Sequence, residues 1–107
     1  MSYTFMRMIL FFDLPMTNKK QKRIYSKFRK ELIKRGFFMI QYSVYTKIFA
    51  NRDAAEGEKA FLKRVVPEKG NIRIMIVTEK QFARMECIVG GISDQEETIT
   101  KESFILL

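Results

Sequence analysis

The stretch that decides the fold is Met6-Arg7-Met8-Ile9-Leu10-Phe11-Phe12-Asp13-Leu14-Pro15. Six of its first seven residues are apolar, which predicts a β-strand buried on both faces. Pro15 has no N–H to donate to a neighbouring strand and ends the pairing. Asp13 thus stands at the exit of a core strand. It is either an ordinary turn residue or a metal-binding or catalytic carboxylate held at a rigid strand end.

The composition of the 107-residue chain predicts one globular domain and excludes several kinds of chemistry. There is no histidine, which excludes histidine metal sites, Ser-His triads and histidine-based ribonuclease chemistry. The single cysteine, Cys87, is predicted to be a small buried hydrophobe, because it has neither a histidine base nor a disulfide partner. Catalysis would have to use carboxylates, a metal ion, or lysine and tyrosine. No apolar run reaches the roughly 18 residues of a membrane span and no signal peptide is evident, which predicts a soluble cytoplasmic protein.

Positive charge is concentrated in the first half of the chain. Residues 1–50 hold 11 Lys and Arg against 2 Asp and Glu, whereas residues 51–107 hold 9 against 10. Most of these cations fall on a helix that is predicted to follow Thr17 or Asn18 as N-cap, run to about Arg35 and end at Gly36. Because like charges on one helix repel, the pattern predicts a polyanionic partner, with nucleic acid favoured over a membrane surface. The candidate nucleic-acid contacts are Lys19, Lys20, Lys22, Arg23, Lys27, Arg29 and Lys30.

The remaining segments complete a ferredoxin-like order of elements. The sequence predicts strands at residues 37–41, 43–49 and 72–78, a second helix at about 51–66, and a short apolar strand at 85–89. With the first strand and helix this order is β-α-β-β-α-β plus an extra C-terminal strand. It predicts an α+β fold whose antiparallel sheet has both helices on one face. The other face, expected to carry Tyr45 and Phe49, would lie open, which predicts a twofold homodimer.

The chain is predicted to divide into a core domain, residues 1–91, and a tail, residues 92–107. The tail carries several acidic residues and ends in an apolar segment that would gain nothing from exposure to solvent. It is predicted to dock on a sheet edge or on a partner through Phe104, Ile105, Leu106 and Leu107.

Four stretches resemble the CRISPR-associated Cas2 family, in particular the members that accompany type II systems. They are residues 8–15, the basic helix with Tyr25 and Phe28, residues 41–45, and residues 70–78 followed by Glu79-Lys80-Gln81-Phe82. The resemblance implies a ferredoxin-like homodimer that sits between two dimers of the Cas1 integrase and holds a duplex prespacer for insertion into the CRISPR array. Members of the family have also been assigned metal-dependent nuclease activity on RNA or DNA. By resemblance, Asp13 is the residue that would bind Mg²⁺.

Three functions remain open from the sequence. As a scaffold, the dimer would bind duplex phosphates through its basic helices and dock the integrase with its tails. As a nuclease, it would hold Mg²⁺ between the Asp13 carboxylates of two protomers, because one carboxylate per chain is a poor metal site. The third function, a regulatory domain that binds a small ligand, would leave the positive charge of the basic helix unexplained. The scaffold therefore ranks first and the nuclease second.

Overall fold

A computed structural model of the protein describes residues 4–91. The elements are β1 (Met6–Asp13), α1 (Lys19–Lys34), β2 (Phe38–Gln41), β3 (Val44–Phe49), α2 (Arg52–Val65), β4 (Asn71–Thr78) and α3 (Glu79–Phe82). The four strands form one antiparallel sheet in the order β2-β3-β1-β4. The α+β, ferredoxin-like fold predicted from the order of elements is confirmed.

Local signals set the starts of the helices and the turn between β2 and β3. Asn18, the alternative N-cap, caps α1 by accepting a hydrogen bond from the Gln21 amide at 2.8 Å. Asn51 caps α2 in the same way. The turn contains no glycine or proline and is made instead by Ser43, whose φ is +65°. The Ser43 carbonyl accepts a hydrogen bond from the Phe12 amide at 3.1 Å, which ties this turn to β1.

The main core lies between the sheet and the two long helices. Its buried residues are Met6, Met8, Leu10, Phe12, Leu14, Phe28, Leu32, Phe37, Tyr45, Phe49, Ala55 and Leu62. The prediction that Tyr45 and Phe49 lie on the open face is therefore wrong. Tyr45 lies opposite Leu10 in the register of β1 and β3, and opposite residues of antiparallel strands share a face. The same holds for Phe49, which lies opposite Met6.

The face of the sheet that points away from α1 and α2, here called the open face, is only partly covered. α3 lies over Arg7, which is 1% exposed, whereas Phe11 and Met75 remain 38% and 49% exposed. An open apolar face is thus present, but it is made by other residues than those predicted. The homodimer that would cover it stays a prediction.

The predicted strand at residues 85–89 is wrong. This segment has no regular secondary structure, and its Ile88 side chain is 91% exposed. α3 ends in a turn in which the Met85 amide donates to the Phe82 carbonyl at 3.0 Å, and none of the described strands pairs with residues 85–89. An apolar run without a strand beside it has no partner for its backbone groups and does not become a strand. Cys87 is accordingly exposed rather than buried.

Candidate nucleic-acid interface

One side of α1 carries a row of cations directed away from the core. With about 3.6 residues per turn, the side opposite the buried Phe28 and Leu32 is made by Lys19, Arg23, Lys27, Lys30 and Lys34, here called the outward stripe. All five are exposed. A groove of about 460 Å³ runs along it, lined by Arg23, Ser26, Lys27, Lys30, Glu31 and Lys34. Within residues 4–91 no member of the stripe forms an ion pair, so the stripe presents its charge directly to solvent.

The other predicted contacts on α1 lie on its two flanks. Lys22 and Arg29 are adjacent to Tyr25 on one flank of α1, because residues three and four positions apart are neighbours on a helix. The Tyr25 ring packs on Phe12, whose amide is hydrogen-bonded to the β2–β3 turn. Lys20 lies on the opposite flank, where it lines a separate groove of about 430 Å³ with Leu14 and Lys69. The structure therefore places the seven predicted contacts in one outward group and two flanking groups rather than on a single surface.

Arg35, the cation that follows α1, is used within the fold. Its guanidinium binds the Glu58 carboxylate at 2.6 Å, and the Lys47 ammonium binds the other oxygen of that carboxylate at 2.9 Å. Burial acts to raise the pKa of the Glu58 carboxyl, but the hydrogen bonds from Lys47 and Arg35 outweigh it and leave the pKa below its ordinary value. Glu58 thus joins the end of α1 to β3 and α2, and Arg35 is not part of the outward stripe.

Asp13 is the last residue of β1, and its side chain is exposed at the rim of the sheet. Its partner in the register of β4 is Asn71. The turn before β4 packs closely against the backbone of Asp13. Gly70 in this turn has φ of +105°, and a Cβ there would lie 2.7 Å from the Asp13 carbonyl oxygen. Among the residues that the structure describes, no three His, Cys, Asp or Glu side chains are grouped to hold a metal ion. At the end of β1 one chain offers the single Asp13 carboxylate as an oxygen ligand that suits Mg²⁺, and a carboxylate from a second copy would be needed to complete a pair.

A cluster of aromatic rings lies between α1 and the end of β1. The Phe12 ring centroid lies 5.4 to 5.5 Å from those of Tyr25, Phe28 and Tyr45. The Tyr45 hydroxyl is buried and has no hydrogen-bond partner among the described residues. Tyr42, in the adjacent turn, is 73% exposed. None of these tyrosines is among the predicted site residues, because an aromatic residue in a strand-rich segment usually packs in the core.

A buried ion pair fastens α3 to the open face. Arg7 donates two hydrogen bonds to the Glu79 carboxylate, at 2.9 and 2.7 Å. The Arg7 guanidinium also lies 4.0 Å from the ring centroid of Phe82. This pair is absent from the predictions, although the sequence contains one signal for it. Arg7 is the only charge among the seven residues that open the first strand.

Comparison with known proteins places the chain in a family. The sequence matches the family described as CRISPR associated protein Cas2 over residues 6–85. The CRISPR-associated endoribonuclease Cas2 of Campylobacter jejuni is 42% identical over 102 residues, which cover 95% of this chain and 71% of that protein. Proteins of the same name from Acidovorax ebreus and Streptococcus mutans are 42% and 51% identical, over 94% and 75% of this chain and 99% and 73% of their own lengths. The chain belongs to the Cas2 family of CRISPR-associated proteins, as its resemblance implied.

Two further predictions concern membrane spans and the docking of the tail. Within residues 4–91, every helix is too short or too polar to cross a membrane. The predicted docking residues Phe104, Ile105, Leu106 and Leu107 lie outside the described residues, as does all of the tail from residue 92.

Proposed function

We propose that this protein is a scaffold of CRISPR adaptation that binds duplex prespacer DNA through the outward stripe of α1. The observation that supports this function is the row of five exposed cations without an ion-pair partner in the described part of the chain. A helix of 16 residues is about 24 Å long, which allows it to meet several phosphates of a duplex. Contacts to phosphates carry no sequence information, so binding would be independent of sequence.

A second copy and the Cas1 integrase complete the proposed assembly. A twofold-related copy would cover the exposed Phe11 and Met75 of the open face and would double the number of basic helices. The tail, residues 92–107, would dock on the second copy or on the integrase through its apolar end. The dimer would then bridge two integrase dimers while the duplex lies across its basic helices.

Replacing Lys19, Arg23, Lys27 and Lys30 together by alanine tests the scaffold. We expect weaker binding to all duplexes alike, with the slope of log K against log salt reduced by up to about 3.6 per protomer bound, since each lost phosphate contact removes about 0.9. The measurement is fluorescence anisotropy of labelled blunt duplexes of unrelated sequence over a series of salt concentrations.

The matched control replaces four exposed cations outside α1 by alanine, namely Arg52, Lys63, Lys80 and Arg84. It removes the same net charge and should lower affinity much less. At about 0.1 to 0.15 M salt, charges farther than about 8 to 10 Å from the duplex are screened. Equal losses in the two variants would show that total charge, rather than the outward stripe, binds the duplex. Unchanged binding by the stripe variant would exclude the proposed surface.

A second function, Mg²⁺-dependent cleavage of RNA or DNA, is supported by the position of Asp13 and by the endoribonuclease names of the relatives. The Asp13 carboxylates of two protomers would hold the ion together with water and phosphate oxygens. When bound, Mg²⁺ stabilises negative charge on the phosphate and lowers the pKa of a water nucleophile. A carboxylate at the end of a hydrogen-bonded strand has a well-defined position, which metal binding requires.

Replacing Asp13 by asparagine tests this second function. We expect cleavage of labelled single-stranded RNA in Mg²⁺ to fall to background, as it should on adding a chelator, because the amide no longer contributes a negative ligand. Asp53→Asn, at an exposed carboxylate in the first turn of α2, is the control and should cut like the wild type. Cleavage that survives in Asp13→Asn would exclude Asp13 as the metal ligand. Duplex binding by the outward stripe should be the same in all three proteins.

A further inference from the structure

A groove of about 430 Å³ lies between the start of α1 and the turn before β4. Its apolar lining is made by Leu14, Pro15 and Ile24, and two cations, Lys20 and Lys69, lie at its rim. The volume falls within the range of about 300 to 1,000 Å³ that is usual for ligand clefts. The groove therefore has room for apolar side chains below two charged ones. The other lining residues are polar, namely Asn18, Gln21 and Glu68.

Both walls of the groove are fixed in position. On one side, the Thr17 amide donates a hydrogen bond to the Gln21 side chain at 2.8 Å, which holds the first turn of α1. On the other side, a Cβ on Gly70 would lie 2.7 Å from the Leu14 Cδ2 atom, so the turn before β4 packs directly on Leu14. A preformed groove binds a segment at a lower cost in conformational entropy than a surface that must first become ordered.

Ile24 is an apolar side chain that the core does not bury. It precedes Phe28 by four residues and shares its side of α1, yet it is 39% exposed whereas Phe28 is 4% exposed. Met16, next to Pro15 in the loop before α1, is also 39% exposed. Together with the groove these side chains form an apolar patch bordered by cations. Such a patch favours a partner segment that is both apolar and acidic.

The tail, residues 92–107, has this composition. It holds four acidic residues against one lysine, whereas residues 1–91 hold 19 Lys and Arg against 8 Asp and Glu. The tail thus carries a net charge of −3 and the rest of the chain carries +11. An apolar run, residues 104–107, follows the acidic residues in the tail. They are Asp94, Glu96, Glu97 and Glu102.

The tail is long enough to bring its apolar run to the groove. The chain leaves the sheet at Thr78, which lies opposite Met6 at one end of β1, and the groove lies beyond the other end of this strand. Eight residues of antiparallel strand span about 27 Å. Residue 104 follows Gly91, the last described residue, by 13 positions, and 13 extended residues span up to about 45 Å. The groove of the same chain is therefore within reach.

We propose that residues 104–107 dock in this groove, with the acidic residues of the tail beside Lys20 and Lys69. Within residues 4–91 neither lysine forms an ion pair, so both are able to bind carboxylates. The inference rests on the part of the proposed function in which the tail docks through its apolar end, and it names the surface that receives it. The tail then binds between α1 and the turn before β4 rather than along a sheet edge.

Cysteine crosslinking in the full chain tests the docking. Cys87→Ser removes the native thiol, and the pair Glu68→Cys/Ser103→Cys places one thiol on the lining of the groove and one beside the apolar run. We expect a short bis-maleimide to link this pair in most molecules. The control pair is Asp53→Cys/Ser103→Cys. Its first thiol lies at the start of α2, about 20 Å from the end of α2 that leads to the groove, and it should link only at background level.

Further substitutions show whether the link reports docking. Ile24→Asp, in the apolar lining, and Lys20→Glu/Lys69→Glu, at the rim, should each reduce crosslinking of the Glu68 pair to the level of the control pair. Ile33→Asp replaces a side chain of similar exposure on α1 that does not line the groove, and it should leave the yield unchanged. Thermal unfolding curves check that the variants are folded. The rim variant keeps the test valid if Ile24→Asp unfolds.

The outcomes separate the docking from nucleic-acid binding. Equal yields in the two thiol pairs would overturn the docking, as would a link that survives both the lining and the rim substitutions. A product of monomer mass assigns the tail to its own groove and a product of dimer mass to that of a second copy, and either supports the proposal. No member of the outward stripe lines the groove, so duplex binding is measured independently. Duplex binding without the link would overturn the docking alone, and the link without duplex binding would overturn the proposed scaffold alone.

Discussion

Replacement of Glu79 by alanine should lower the free energy of unfolding by about 3 kcal/mol, because it leaves the Arg7 guanidinium buried without a counter-charge. Arg7 is 1% exposed and cannot lose its proton, so it must either stay charged in the interior or disturb the sheet to reach water. Both hydrogen bonds from Arg7 to Glu79 would be lost. The Phe82 ring on Arg7 and the backbone hydrogen bond from the amide of residue 79 to the Phe5 carbonyl would remain. Urea denaturation at neutral pH measures the change.

The double variant Arg7→Met/Glu79→Ala distinguishes a buried charge from a simple loss of contacts. It removes the charge together with its partner, so it should be more stable than Glu79→Ala alone. Glu86→Ala, at an exposed carboxylate after α3, should leave the unfolding midpoint unchanged. The single variant Arg7→Met completes the cycle. If the free-energy losses of Arg7→Met and Glu79→Ala simply add up in the double variant, the two residues are not coupled, which would contradict the ion pair as the reason for the effect.

Replacement of Glu58 by alanine should cost about 2 to 3 kcal/mol of the free energy of unfolding, since two neighbouring cations lose their shared carboxylate. We expect less than the full cost of a deeply buried charge, because the Arg35 and Lys47 side chains are 29% and 27% exposed and water can reach them. The substitution would loosen the end of α1 from α2 and β3. Chemical denaturation at neutral pH measures this loss.

The same carboxylate predicts a pH dependence. The pKa of Glu58 in the folded protein lies below its ordinary value of 4.5, so its stabilising contribution is complete above about pH 4.5. That contribution is lost as the pH falls through the lower, folded-state pKa. Glu58→Gln, which cannot ionise, should therefore unfold with a flatter dependence on pH in this acid range. Glu68→Gln, at an exposed carboxylate that forms none of the described ion pairs, is the matched control and should keep the wild-type curve. If the stability of Glu58→Gln depends on pH in the acid range as that of the wild type does, the lowered pKa of Glu58 would be contradicted.

The outward stripe shows how far local patterns can predict a site. The number of cations on α1 and the need for a polyanionic partner follow from the sequence, because they depend on composition and on helix geometry. Which cations act together does not follow, because the helix can be rotated about its axis without changing the pattern. Packing of Phe28 and Leu32 against the sheet fixes that rotation. It separates Lys22, Arg29 and Lys20 from the stripe.

The two faces of the sheet show a similar limit. Alternation along the third strand predicts two opposite faces, but alternation alone does not say which face meets the helices. The pairing of Tyr45 with Leu10 decides it, and this is a contact between distant parts of the chain. The prediction of a strand at residues 85–89 is wrong for the same kind of reason. Their apolar character predicts a strand only where another strand lies beside them.

The sequence by itself determined the order of the four strands and the two long helices, the family and the concentration of positive charge, because each depends on neighbouring residues or on overall composition. Only the tertiary structure decided the covered face, the ion pair between Arg7 and Glu79, 72 positions apart, and the exposure of Tyr42 in the β2–β3 turn. These features depend on strand register and helix rotation, which are set by packing across the whole domain. Asp13 lies between the two cases. Its position at the strand end is local, but whether it pairs with a second Asp13 depends on a partner chain.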